Sequence, residues 1–474
     1  MSIKDTRSKT VKSPVYIVHC IDTEGPLYEQ IEVTFQRLKT IFGLELEATQ
    51  ENLERLQNGE MDLGGIEQAV QQVVSSNLLN YMDTWDKIDH MLEDAQSSDF
   101  RNQMFDSAGN GWIYNWFCLD HVGFTDNPRR RTMGYHSIYD HYQQRISKSD
   151  VTKDAVHFHF HPHSFQHKAH HCATHWWANS SSLYQILSRR IIDRLWFPSA
   201  NRPGFHVTRP DSHWFLEQFI PFDFASQSIT LSVEDEQQTD LNGGRFGDWR
   251  RAPKTWRPYH PDHDDYQREG NCRRWIARCL NVGTRLRLLT ETDVRDAFEE
   301  ASNGTPVVLA LTNHDFRDIR IDVDYVRELL ANVSRDYPDV PFVFSEATSA
   351  MREALKLPSE SPCNFKIKFE STSGRTIIRV KTQTPTFGSQ PYLAIKTNSG
   401  EYLHDNFDIQ KPHYEWSYTF DEQTLNLNAI ESIGIAANNS IGVTTVIRWD
   451  SDSNSILSKE WNSISESSES GLHA

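Results

Sequence analysis

Hydrophobic and polar positions along this chain change rhythm several times, and each rhythm predicts a different element. Val15 to Ile21 (VYIVHCI) is a short β-branched run that reads as a buried strand, ended by a turn at Asp22-Thr23-Glu24-Gly25-Pro26. Ile66, Val70, Val73, Val74, Leu78, Tyr81, Trp85, Ile88 and Met91 recur every three or four residues, the period of an amphipathic helix or helix pair. Trp112 to Val122 reads as a second strand. Ala155 to His161 (AVHFHFH) alternates strictly, with Val156, Phe158 and Phe160 on one face and His157, His159 and His161 on the other.

Helices and strands then interleave. Helices are expected at Ser182–Asp193, Ser212–Phe219, Glu291–Ala301 and Val323–Val333. Strands are expected at Leu195–Phe197, Ile220–Ala225, Pro306–Leu311 and Pro341–Ser345, with an elaborated loop at Asn242–Asn271. This alternation argues for a parallel α/β core. After Leu357 the pattern becomes short alternating runs broken by Ser-Gly and Asn-rich turns, which predict about six strands and a β-sandwich. The expected organisation is a polar extension at 1–13 and an α/β barrel at 14–356 with a helical insertion at about 30–110. A β-rich accessory domain at 362–450 and a Ser-rich, disordered tail at 451–474 follow.

Composition narrows the function classes. Lys plus Arg number 48 against 65 Asp plus Glu, a net charge of −17, which disfavours a sequence-blind grip on nucleic acid. No apolar run approaches the ~20 residues that span a bilayer, so no integral membrane role is expected. The six cysteines form no Cys-x-x-Cys pair and no export signal precedes them, which predicts free thiols and a cytoplasmic protein. A homo-oligomer is compatible with all of this.

The histidines carry the chemistry. Of 21 in the chain, eight lie between His157 and His175. Imidazoles are costly to bury without partners, so three on one strand face, followed by His163, point to ligands for a borderline metal such as zinc. Asp22 and Glu24 share a face just past the end of the first strand, the edge where α/β proteins bind ligands. The alternative for these carboxylates is a turn or helix-cap role.

These fragments, in order, resemble the NodB-like polysaccharide deacetylases (carbohydrate esterase family 4). The resemblance rests on Asp22-Thr23-Glu24-Gly25, the H-x-x-x-H pair His159 and His163, Arg202-Pro203-Gly204, Asp223 at a strand end, and Leu309 to His314. It covers most of residues 14 to 350 and omits the β-rich C-terminus. It implies a distorted (β/α) barrel that uses a divalent metal, most often zinc, to hydrolyse the N-acetyl group of an amino sugar, of a kind tied to surface-polysaccharide assembly. Carried over, Glu24, His159 and His163 are the metal ligands and Asp22 is the general base. Thr23 separates the two carboxylates, so their roles are exchangeable. His157 with His161 has the same spacing, and His161 is first reserve. Arg202 would pair with Asp22, and His314 would be the general acid, its tautomer set and pKa raised by Asp223. The family's Trp after that Asp is Phe224 here.

Such a site is chemically sufficient, because a metal with two His and one carboxylate keeps positions open for water and a substrate carbonyl. Arg250, Trp256 and Arg257 interleave guanidinium and aromatic groups, a mixture suited to a carbohydrate or sugar nucleotide. Two other classes remain open on sequence. One is another barrel metallohydrolase, a phosphoesterase or amidohydrolase. The other is a catalytically inactive glycan-binding homologue.

Overall fold

Seven parallel strands carry the architecture: β1 (Val15–Thr23), β2 (Tyr114–Leu119), β3 (Ala155–Phe160), β4 (Ala200–Pro203), β5 (Phe222–Ser226), β6 (Trp275–Asn281) and β7 (Val307–His314). They pair in that order, and β1 pairs with both β2 and β7, so the sheet closes into a barrel. The computed structural model describes residues 12–473 except 126, 128, 149–152, 163, 164, 166, 168–175, 177–179, 230–246, 286 and 462–468, and only the backbone of 469–473. An eighth strand, β8 (Phe342–Phe344), lies on β1 at Val15–Ile17, on the edge that β2 occupies from His19 onward.

The two-residue pleat sorts the side chains. Val18, Cys20, Phe117, Ala200, Phe222, Phe224, Ala277, Cys279, Val308 and Ala310 fill the lumen together. Their out-of-phase neighbours, including Ile17, Ile21, Trp116, Phe158, Phe160, Leu309 and Leu311, pack outward against the helices. The helix Ala347–Ala354 closes the lower end of the lumen with Ala347, Ala350, Met351 and Ala354. The α/β barrel read from the sequence is thus the fold.

The insertion after β1 is helical. Ile31–Phe42, Gln50–Gln57 and Glu67–Val73 contribute to a small core of their own, built on Phe35, Leu38, Leu53, Leu56, Val70 and Val74. The periodic stretch from Ile66 to Met91 is broken into Glu67–Val73, Ser76–Leu79 and Trp85–Ala95, and the last of these packs on the barrel through Ile88, Met91 and Leu92.

Among the described residues beyond 362, ten antiparallel strands form sheets of four and six strands. Their shared core includes Ile378, Val380 and Trp416 from one sheet and Leu393, Ile395, Ile435 and Trp449 from the other. The other face of the six-stranded sheet, with Tyr392, Ala394, Ala436 and Val446, packs into the barrel's outer core beside Leu187 and Ile191 of the helix Ser180–Arg194. The six-stranded sheet is thus buried on both faces.

Two expectations are corrected, and one unread strand is added. Leu195–Phe197 is a loop, entered through a left-handed Leu195 (φ 50°), and the strand is Ala200–Pro203. Trp275–Asn281 is a barrel strand whose Arg278 disguises it, the guanidinium lying 4.3 Å over the Trp256 ring. The Ser-rich tail is not free chain throughout: Ser455–Trp461 pairs along Thr444–Asp450, and Trp461 Nε1 donates to the Leu195 carbonyl at 2.6 Å. Among the described residues no helix is long and apolar enough to cross a membrane.

Candidate metal centre

The upper end of the lumen, where all seven barrel strands finish, gathers the chemically competent groups. Strand register brings them there. Asp22 of β1 is the cross-strand neighbour of His314 of β7, and His159 of β3 is the neighbour of Arg202 of β4. Glu24 follows β1 and His161 follows β3, each two residues beyond an inward-facing position, so both turn into the same space.

Glu24, His159 and His161 offer ligand atoms that all lie within 4.8 Å of one another, and all three are buried. His159 Nε2 and His161 Nε2 are 3.0 Å apart, and Glu24 Oε1 is 3.5 Å from His161 Nε2. Two imidazole nitrogens bound at the usual zinc distance stand roughly 2.9–3.3 Å from each other, so this spacing fits two ligands of one ion. His159 Nδ1 donates to the Arg202 carbonyl at 2.6 Å, which fixes the tautomer that leaves Nε2 a lone pair facing the site. Burial lowers the pKa of both imidazoles and, for His161, the field of His159 adds to it. Both shifts favour the neutral form that metal ligands need. Gly204 makes room: a Cβ there would overlap the His161 ring.

The second carboxylate is held differently. Arg202 grips Asp22 with two parallel bonds of 2.5 Å, Nε to Oδ1 and Nη2 to Oδ2. Burial works against the Arg202 charge, but the Asp22 carboxylate outweighs it and raises the pKa. His314 Nε2 stands 3.7 Å from Asp22 Oδ2 and 3.9 Å from Glu24 Oε1, with its side chain about one-fifth exposed (21%).

Several groups escaped the sequence reading. Arg131 binds Glu24 Oε2, leaving Oε1 toward the histidines. Burial brings this arginine down to about 10 against the pull of Asp315. Asp315 accepts the N–H of Glu24 at 2.8 Å, the N–H of Gly25 at 3.0 Å and the Tyr142 hydroxyl at 2.8 Å. Burial raises its pKa to about 7. Gly25 sits at φ 68°, a left-handed turn that aims both N–H groups at one carboxylate. His121 Nε2 bonds the Glu24 carbonyl at 3.0 Å. The run Arg129-Arg130-Arg131 and the Asp beside His314 were the available signals. Behind this wall a buried polar chain runs from Asp120 through Arg190, His136 and Asp193 to Tyr402 of the C-terminal domain, with links of 2.6–2.9 Å.

Other expected site residues lie elsewhere. His163 falls outside the described residues, and His161 takes the place beside His159. His157, two residues deeper, pairs with Glu346 at 3.2 Å. Asp223 is out of phase with the inward Phe222 and Phe224. It accepts from Asn201 at 3.0 Å and lies 3.6 Å from Arg274. It therefore does not orient His314, whose Nδ1 has no hydrogen-bond partner and whose pKa burial and Arg317 push well below the usual value, not above it. Trp256 is fully buried in the outer core, so it offers no face to a sugar. Its carbonyl bonds Val308 near the start of β7, about 20 Å from the site end of that strand. Arg250 is engaged by Asp248, and Arg257 by Glu269. The His260–Asp265 run forms no metal-ligand group among the described residues.

Comparison with protein-family models, with curated proteins and with solved structures finds no match. The site is therefore read from its own geometry. A barrel with a possible buried His/His/Glu metal site supports a metal-dependent enzyme.

Proposed function

We propose that this chain is a metal-dependent hydrolase that removes an N-acyl group from an amino sugar or glycan, in the manner of the NodB-like deacetylases it resembles. The observation that carries this reading is the pairing of two unlike carboxylates. Glu24 faces two imidazoles, while Asp22, two residues back on the same face, is held by Arg202 and faces His314. A hydrolase needs this division, one carboxylate for a metal and one for a proton.

Glu24, His159 and His161 would hold a divalent ion such as zinc, which suits nitrogen and oxygen donors, and such an ion polarises a carbonyl and acidifies water. Asp22, oriented by the Arg202 fork, accepts the proton of the attacking water. His314 is within a short relay of Asp22 and delivers a proton to the departing amine. Arg131 fixes the second oxygen of Glu24, and Asp315 fixes its backbone. Metal content by elemental analysis tests the ligand set: about one ion per chain in wild type, lost in His159→Ala, is expected. Asp22→Asn should keep the metal and lose roughly 10²–10⁴-fold in amine release from N-acetylated sugars. Metal retained by His159→Ala would overturn the assignment.

One observation favours an idle glycan-binding barrel instead. The Arg131 guanidinium on Glu24 opposes a cation beside it. Wild type without metal after reconstitution would select that reading.

A further inference from the structure

Around the site mouth, the loops leaving β1, β2, β6 and β7 meet the helix Ile31–Phe42 in a cluster of arginines. Glu29, five residues past Glu24, has a side chain only 2% exposed. It takes two bonds from Arg37 Nη2, at 2.8 and 2.9 Å, and lies 3.6 Å from Arg129. Arg285 and Arg317 face the same region, but their Nε groups are tied to backbone carbonyls, Val73 at 3.0 Å and Leu78 at 3.1 Å. The remaining nearby carboxylate, Asp322, accepts from Asn313 at 2.8 Å. Among the described residues, Glu29 acts on Arg37, Arg129 and Arg285 and Asp322 on Arg317, and the Tyr81 side chain bonds both Arg285 and Arg317.

The donors are also incompletely used. Arg37 Nη1 and Arg285 Nη2 are buried and find no hydrogen-bond partner among the protein's own described residues. Leaving a charged donor in that condition is costly, and a fold gains nothing from it. Burial, with the repulsion of Arg37 behind it, brings Arg285 down to about 10. The cluster adjoins the candidate metal centre through Arg317, whose N–H bonds the His314 carbonyl at 3.3 Å. Beside it Tyr28 is exposed, with Arg130 4.3 Å over its ring. An aromatic ring under a guanidinium is a surface for a planar or sugar ring.

We propose that Arg37, Arg129, Arg285 and Arg317 form an anion subsite for a phosphoryl group of the substrate, so that the amino sugar is phosphorylated or nucleotide-linked and not a neutral polymer. Its link to turnover rests on the hydrolase reading; the anion site itself does not. An excess of positive charge matches a phosphate dianion or a diphosphate, and guanidinium forks match its oxygens.

The probe is inorganic pyrophosphate, titrated calorimetrically into the full chain at low salt with a chelator present, so that no metal can hold the anion. Wild type should bind it. Arg285→Gln and Arg129→Gln should each weaken binding at least tenfold, and His159→Ala should bind as wild type does. Arg129 is at the outer edge, so its variant keeps the test alive if Arg285→Gln fails to fold. Without anion, Arg285→Gln should melt no lower than wild type, because it relieves repulsion. No binding by wild type, or binding unaffected by both arginine variants, overturns the proposal. Binding lost only in His159→Ala overturns it too, by moving the anion to the metal ligands. Binding that follows the arginines in a chain that releases no amine from any N-acyl sugar would keep the anion site and sink the hydrolase reading.

Discussion

The two ends of the barrel lumen are built from the same strands and the same alternation, yet they differ completely in chemistry. The lower half is Val18, Cys20, Phe117, Phe222, Ala277, Val308 and the helix that closes it. The upper end is Asp22, Glu24, His159, His161, Arg202 and His314. On β3 the change takes one step: His157 and His159 share a face, but His157 meets a finished carboxylate and His159 an unfinished one. Glu346 caps its helix, accepting from Thr348 N and Ser349 N as well as the Ser349 hydroxyl, so its lone pairs are already used. Glu24 keeps Oε1 turned to two imidazoles. The comparison teaches that a histidine face becomes a site only where its carboxylate partner still has a bond to give.

This contrast can be broken by experiment. The largest effect is expected from Phe222→Ala in the lower half: a cavity costing about 3–5 kcal/mol in urea unfolding, with metal stoichiometry unchanged. Loss of metal along with stability would mean that the two ends are not separable. Next comes Glu346→Gln. Burial pushes the Glu346 carboxyl up, but His157 and the helix N–H groups more than reverse this, to about 2. A depressed folded pKa contributes stability above the ordinary carboxylate range that is lost as pH falls toward about 2. The variant should therefore be weaker than wild type by about 1–3 kcal/mol at pH 7, with the gap closing between pH 4.5 and 2, while metal stays bound. A pH-independent gap would show that packing, not charge, is at stake. The smallest effect is expected from Arg257→Ala, an exposed ion pair remote from the mouth: less than about 0.5 kcal/mol and unchanged turnover.

How much was legible follows from the same contrast. Strict alternation at 155–161 and the strand ends at Asp22 and His314 were readable because they depend on the backbone period alone. That His161 joins His159 and Glu24 was legible only as a reserve, because it depends on where β3 stops and on Gly204 leaving space. Asp223 failed by one residue of phase, which no local pattern shows when both neighbours, Phe222 and Phe224, are equally apolar. Trp256 was misread because an indole among arginines looks alike whether it faces a ligand or, buried, carries Arg278 on its ring. Arg131 reached the site from a polar loop without periodicity, where sequence gives composition and no direction.

The pairing of β1 has a consequence in time. Its full-length partner β7 lies about 290 residues further along the chain. At roughly 5–20 residues per second of synthesis, the first strand waits some 15–60 s with one edge open. During that interval the β-branched run Val15–Ile21 is an unprotected template for mispairing. The helical insertion, with its own small core, is the first part of the chain able to bury apolar surface nearby. The barrel's closing seam is therefore where a nascent chain is most exposed to chaperones and to aggregation.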